Sequence, residues 1–161
     1  MWMITKIQQL NQVDKKFSLL RKLILFGFLC FSKCESVPER RNPYLVDIRF
    51  QREINLSLPL YNNLNFIGGS VLIEDVGING IMIFNLNGSS YLAWEATCPN
   101  HLAESCSKLS IEGVLAHCSC EDFQYSLATG QILNPTEALD PPHNLLFYQI
   151  QNFNGILRVT N

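Results

Sequence analysis

The strongest constraint on this chain lies in residues 98–130, which hold four of its six cysteines and two of its three histidines. They fall into two clusters: Cys98, His101 and Cys106, then His117, Cys118 and Cys120. A turn at Glu112-Gly113 divides the segment between them. Two cysteine-bearing loops joined in this way either hold a metal centre or are locked by disulfides. Zinc is one option, because Cys98, His101, Cys118 and Cys120 are four ligands of suitable softness. Glu104, Glu121 and Asp122 read as solvated loop charges rather than as an acid–base pair, and nothing marks one cysteine as an activated nucleophile.

The compartment is read from the N-terminus. Lys15, Lys16, Arg21 and Lys22 precede an apolar run over residues 23–31. That run is far short of the roughly 20 residues needed to span a bilayer and fits a secretory signal. Cys34 follows it at the place where bacterial lipoproteins carry their acylated cysteine, although Lys33 stands where a small residue is usual. Residues 1–34 are therefore expected to be an export signal with a lipidation site at Cys34, and residues 35–44 a polar tether. This implies an exported, bacterial protein of the periplasm or outer envelope, anchored to a membrane. Net charge is −2 and no basic block occurs beyond the N-terminus, which argues against a nucleic-acid partner.

From residue 45 onward the hydrophobic period is mostly two, so the expected fold is all-β. Strands are expected over residues 50–58, 71–74, 81–86, 91–97, 113–118, 123–126, 145–153 and 156–160. Residues 59–63 form a break and residues 65–70 a loop. Asn87-Gly88 and Asn154-Gly155 are strong hairpin signals, since both residue types tolerate positive φ. Short strands at this spacing suggest a small antiparallel barrel or sandwich. Trp94 is expected in the core and His143 on the surface.

The central stretch resembles a Rieske iron–sulfur domain. That family carries a C-x-H box and a C-x-x-H box on a hairpin subdomain, followed by an aromatic residue and a Thr-Gly turn. Cys98 and Cys118 stand at the two cysteine positions, and Tyr125 and Thr129-Gly130 keep the spacing after the second box. Leu139-Asp140-Pro141-Pro142 resembles the family's proline loop. The resemblance implies one Rieske-like domain over residues 45–161, with a two-loop cluster-binding subdomain at about residues 96–143. Both histidine positions depart from the pattern, however: Asn100 and Glu121 occupy them. Leu102 and Asp122 stand where glycines usually follow the boxes. His101 falls one residue late, within reach only if the first loop is rebuilt, and His117 should face away from Cys118 in extended backbone.

A Rieske centre holds one iron by two cysteines and the other by two histidines. With Asn100 and Glu121 in those places, the expectation is no cofactor. The alternative is a [2Fe–2S] cluster on Cys98 and Cys118 with altered ligands, and zinc comes after it. The resemblance also implies a disulfide between Cys106 and Cys120. Without iron, Cys98 and Cys118 would face each other and are expected to form a second one. The other pairing, Cys98–Cys120 with Cys106–Cys118, stays open. The functional expectation is a cluster-free, disulfide-stapled envelope module for binding or assembly, with its protein partner unknown. The alternative function is electron transfer. No catalytic residue is assigned, and enzymatic involvement would be at most as a redox component of an oxidoreductase.

Overall fold

The computed structural model describes residues 42–139 and 141–161. The expected signal, the Cys34 lipidation site and residues 35–41 of the expected tether lie outside the described residues. Residues 42–44, expected as the end of the tether, are packed on the domain. The Asn42 amide donates to the Pro99 carbonyl at 2.8 Å, the Tyr44 ring meets His143 edge-on, and Leu45 is buried.

The described residues form the all-β architecture expected from the sequence. Nine strands are present among them: β1 (Gln51–Asn55), β2 (Ser70–Ile73), β3 (Ile81–Asn85), β4 (Tyr91–Glu95), β5 (Ser110–Glu112), β6 (Leu115–His117), β7 (Gln124–Ser126), β8 (Phe147–Phe153) and β9 (Ile156–Thr160). A six-stranded antiparallel sheet runs in the order β1-β9-β8-β4-β3-β2, and a three-stranded sheet runs β5-β6-β7. Laid flat, the edges of six strands would be roughly 24 Å apart at about 4.8 Å per strand. Yet Arg52 on edge strand β1 makes a 2.9 Å ion pair with Asp75, just past the opposite edge strand β2. The sheet is therefore strongly curled, which is the physical form of the expected small barrel.

Side-chain alternation sorts β3 onto two cores, and all five of its residues are buried. Ile81 and Ile83 join Ile54, Leu64, Ala93, Tyr148, Leu157 and Val159 on one side. Met82 and Phe84 join Trp94, Leu109, Phe123, Tyr125 and Leu127 on the other, where the small sheet packs. Leu64 comes from a short 3-10 helix, Pro59–Asn65, which stands where the sequence suggests only a break. The strand expected over residues 50–58 stops at Asn55, whose side chain accepts from the Ser57 N–H and turns the chain. Strand β5, Ser110–Glu112, is not among the expected strands: it has only three residues, with Ile111 its single apolar one.

The two hairpin signals resolve differently. Asn154 and Gly155 both have positive φ, at 51° and 88°, and join β8 to β9 with Phe153 opposite Ile156. This is the two-residue turn the sequence suggests. Asn87 is not left-handed. Its side-chain oxygen instead accepts from the Ser89 and Ser90 N–H groups, and residues 86–90 make a wider connection between β3 and β4.

Glu95 is the polar pivot of the large sheet. It is fully buried, and its carboxylate accepts from the Ile78 and Asn79 N–H groups, the Thr97 hydroxyl and the Tyr148 hydroxyl. Burial and the bond to Glu95 push the Tyr148 hydroxyl's pKa up, so Tyr148 stays a donor. A buried carboxylate is tolerated when its lone pairs are filled in this way. It fixes the 75–80 turn and the end of β4, from which the first cysteine loop departs.

Candidate metal centre

The small sheet presents two loops side by side. The first, over residues 98–107, is closed at its base by the Cys98 N–H donating to the Ser107 carbonyl at 2.8 Å. The second, over residues 118–123, is closed by the Cys118 N–H donating to the Phe123 carbonyl at 2.9 Å. Both cysteines are thereby held by backbone at the root of their loops, and both are buried. Beneath them lies the second core. There the Trp94 indole donates to the Leu127 carbonyl at 2.8 Å, and its ring covers Gly130 so closely that an added Cβ would lie 2.6 Å from it. This accounts for the Thr-Gly turn in packing terms: Gly130 also has φ +72°.

Cys106 and Cys120 form a disulfide between the loops, with their Cα atoms 5.3 Å apart. That pairing is the one implied for them, and it removes the alternative in which Cys120 pairs with Cys98. It also takes Cys120 away from the expected zinc set. The second expected bridge, Cys98–Cys118, is not made, and both remain thiols. They are not idle neighbours. Their sulfurs lie within 4.8 Å of each other. The Cys98 thiol and the donors around Cys118 hold its pKa well below the usual thiol range, against the effect of burial. Cys98 is pushed up, first by its bond to Cys118 and then by burial.

His101 has moved into this pair. Its Nε2 lies 3.2 Å from Cys118 Sγ, and its Nδ1 lies 2.8 Å from the Leu102 carbonyl. A carbonyl can only accept, so Nδ1 carries the proton and Nε2 faces the sulfur. Burial works against its imidazolium. The hydrogen bond to Cys118, the Leu102 carbonyl and the charges of Cys118 and Glu121 outweigh it, and the net pKa shift is upward. The rebuilt first loop needed for this contact is present. Asp122 keeps a left-handed φ of 58° where glycine is usual, whereas Leu102 is not among the left-handed residues. The second loop thus keeps its backbone shape without glycine, and the first does not.

Asn100, in the first histidine register, is not placed as a ligand. One amide hydrogen goes to the Tyr125 hydroxyl and the other to the His143 carbonyl, both at 2.8 Å. Its oxygen accepts from the His143 N–H at 2.7 Å. The residue is a strut between the first loop and the segment after the prolines, and His143, expected as a plain surface residue, supplies the backbone half of it. Glu121 is exposed and acts on the pair only through its backbone N–H and its charge. His117 faces away, as extended backbone requires: its Nε2 is 2.7 Å from Asp122, and that bond raises its pKa.

The donors that converge are Cys98, His101 and Cys118, whose ligand atoms all lie within 4.8 Å of one another. Two supporting residues were not singled out in the sequence. Tyr125, noted there only for its spacing, has its hydroxyl 3.3 Å from Cys98 Sγ while it accepts from Asn100. Ser107, fully buried, accepts from the Glu104 N–H and donates to the Leu102 carbonyl, bracing the His101 turn. A lone serine in a polar loop carries no sequence signal for that role. The residues do not supply the two-imidazole end of a Rieske cluster. Asn100 is fully engaged, Glu121 is exposed, His117 is turned away, and the single histidine present is in contact with a cysteine that belongs to the other iron.

Comparison with protein-family models gives no match, and comparison with curated proteins gives none. Solved structures do show similarity. The Sphingomonas yanoikuyae B1 ferredoxin is 14% identical, with 60% of this chain and 88% of that chain covered and a TM-score of 0.41. The ferredoxin of carbazole 1,9a-dioxygenase from Nocardioides aromaticivorans IC177 is 13% identical, with 70% and 97% covered and a TM-score of 0.42. A chain from the complex of reduced oxygenase and oxidized ferredoxin in carbazole 1,9a-dioxygenase is 18% identical, with 58% and 82% covered and a TM-score of 0.41.

Proposed function

We propose that this chain is an envelope lipoprotein whose Rieske-like domain has exchanged the family's two-iron cluster for a disulfide-stapled pair of loops. In this reading it serves as a non-catalytic binding or assembly module, exported by its N-terminal signal and held at a membrane through Cys34. The observation that carries the reading is Asn100. A residue in a ligand position that spends both amide hydrogens and its oxygen on loop-to-loop bonds is built for structure. The Cys106–Cys120 bridge holds the two loops together, as a cluster would otherwise do.

A second reading, electron transfer through a [2Fe–2S] centre with altered ligands, draws on one observation. Cys98 and Cys118 stay unpaired, and His101 has come within their reach. The two are separated by anaerobic purification of the full chain in detergent, followed by iron analysis and a visible spectrum. The leading reading expects colourless protein without stoichiometric iron. Brown protein with two irons per chain would replace it with the second. Mass spectrometry of the mature N-terminus tests the anchor, and an unmodified Cys34 would remove it.

A further inference from the structure

We propose that Cys98, His101 and Cys118 form a site for a single zinc-type metal ion, with a fourth coordination position left to water or to a donor from a docking partner. The proposal rests on the reading that no two-iron cluster is present, and it adds the chemistry by which the two loops bind.

The geometry suits one ion. Around tetrahedral zinc, sulfurs at about 2.3 Å and a nitrogen at about 2.0 Å sit roughly 3.5–3.8 Å from one another. Here all three ligand atoms lie within 4.8 Å of each other, and His101 Nε2 is 3.2 Å from Cys118 Sγ. Shifts of no more than about 1 Å centre an ion between them. In a Rieske cluster the thiolates and imidazoles bind different irons, and the body of the cluster keeps them apart.

The surroundings also fit. A metal-bound histidine nearly always donates its other ring N–H to a carbonyl or carboxylate, which fixes the tautomer. His101 Nδ1 does so to the Leu102 carbonyl at 2.8 Å, which turns Nε2 toward Cys118 Sγ. That carbonyl is in turn held by the buried Ser107 hydroxyl. One sulfur has a partner of its own: the Tyr125 hydroxyl, oriented by Asn100, lies 3.3 Å from Cys98 Sγ. Asn100 therefore changes from ligand to support: it orients the tyrosine that steadies one sulfur.

The fourth place expected from sequence, Cys120, is closed off by its disulfide with Cys106. Three protein ligands leave a fourth position open to water or another donor, whereas four close a structural site. The opening lies beside His101, which is half-buried and is followed by the exposed residues 102–105. Binding takes both sulfurs as thiolates, releases to solvent any proton they still carry, and changes no oxidation state.

The test is metal uptake by the full chain, purified anaerobically without added metal or thiol, using Co²⁺ as the probe and Zn²⁺ as competitor. The expected result is one Co²⁺ per chain, with thiolate-to-cobalt charge-transfer absorption and tetrahedral visible bands, displaced by Zn²⁺. Replacing a supporting residue of a metal site typically weakens affinity 10- to 100-fold, so His101→Ala, which removes a ligand, should weaken Co²⁺ binding by at least about 100-fold. Cys118→Ser should abolish the charge-transfer band. His117→Ala, turned toward Asp122, should change neither. No uptake by protein whose Cys98 and Cys118 are shown free by peptide mapping would overturn the site and leave the cluster-free reading standing. A Cys98–Cys118 disulfide in that mapping, or unchanged binding by His101→Ala, would also overturn it. Two irons with a visible spectrum would instead overturn the reading beneath it.

Discussion

At the scale of the residue, the decisive side chain is a short amide. Asn100 is buried and fully bonded, so Asn100→Ala leaves the Tyr125 hydroxyl and the His143 N–H and carbonyl short of a partner. We expect a loss of about 2–3 kcal/mol in urea unfolding. Glu121→Ala, at the other substituted ligand position but exposed, should stay within about 0.5 kcal/mol. A second expectation concerns Cys118. Its pKa is held below the unfolded thiol value first by the Cys98 thiol. The stabilisation this brings is fully present above the unfolded thiol pKa and is lost as pH falls through the depressed folded value. In metal-free protein, the thiolate ultraviolet absorbance should therefore persist to pH values well below the normal thiol range. Cys98→Ala should move its loss upward in pH. The importance of Cys98 and Cys118 was legible in the sequence because cysteine is rare and their spacing is shared with a known pattern. The role of Asn100 was not, because its partner is a backbone 43 residues away. Nor was the position of His101. Register arguments assume an unchanged loop, and only the second loop keeps its left-handed residue.

At the scale of the element, the sheet strands follow from period-two patterning, and the differences lie at their ends. Strand β9 runs over the residues expected, since a tight Asn-Gly turn fixes one end of it. Strand β1 is shorter than expected because side-chain hydrogen bonding by Asn55 competes with the ladder. Two turns offer a matched pair of tests. Gly155 and Gly130 both have positive φ, but nothing lies within 4 Å of a Cβ on Gly155, whereas one on Gly130 would strike the Trp94 ring. Gly155→Ala should cost about 1 kcal/mol through backbone strain alone. Gly130→Ala adds overpacking against a buried indole and should cost roughly 2–4 kcal/mol. Thermal unfolding of the two variants checks the difference, and equal costs would contradict the packing described for the Thr-Gly turn.

At the scale of the whole molecule, the loops that carry the centre are joined to each other more firmly than to solvent-facing neighbours. The Cys106–Cys120 bridge closes a span of 14 residues, worth about 3 kcal/mol by the chain-entropy model. Cys106→Ala with Cys120→Ala should accordingly lower the melting temperature by roughly 10 °C or more. The all-β class and the two-loop subdomain were legible in advance from alternation and cysteine placement. A small barrel or sandwich was also suggested in advance, but which edges approach each other was not, because the Arg52–Asp75 contact that reports it joins residues with no sequence relation.

The bond from Asn42 to the Pro99 carbonyl has a mechanical meaning. Pro99 directly follows Cys98. A force drawing on the chain at Asn42 is therefore shared between the backbone that leads to β1 and the peptide next to that sulfur, so the first cysteine loop carries part of any tension on the N-terminal side.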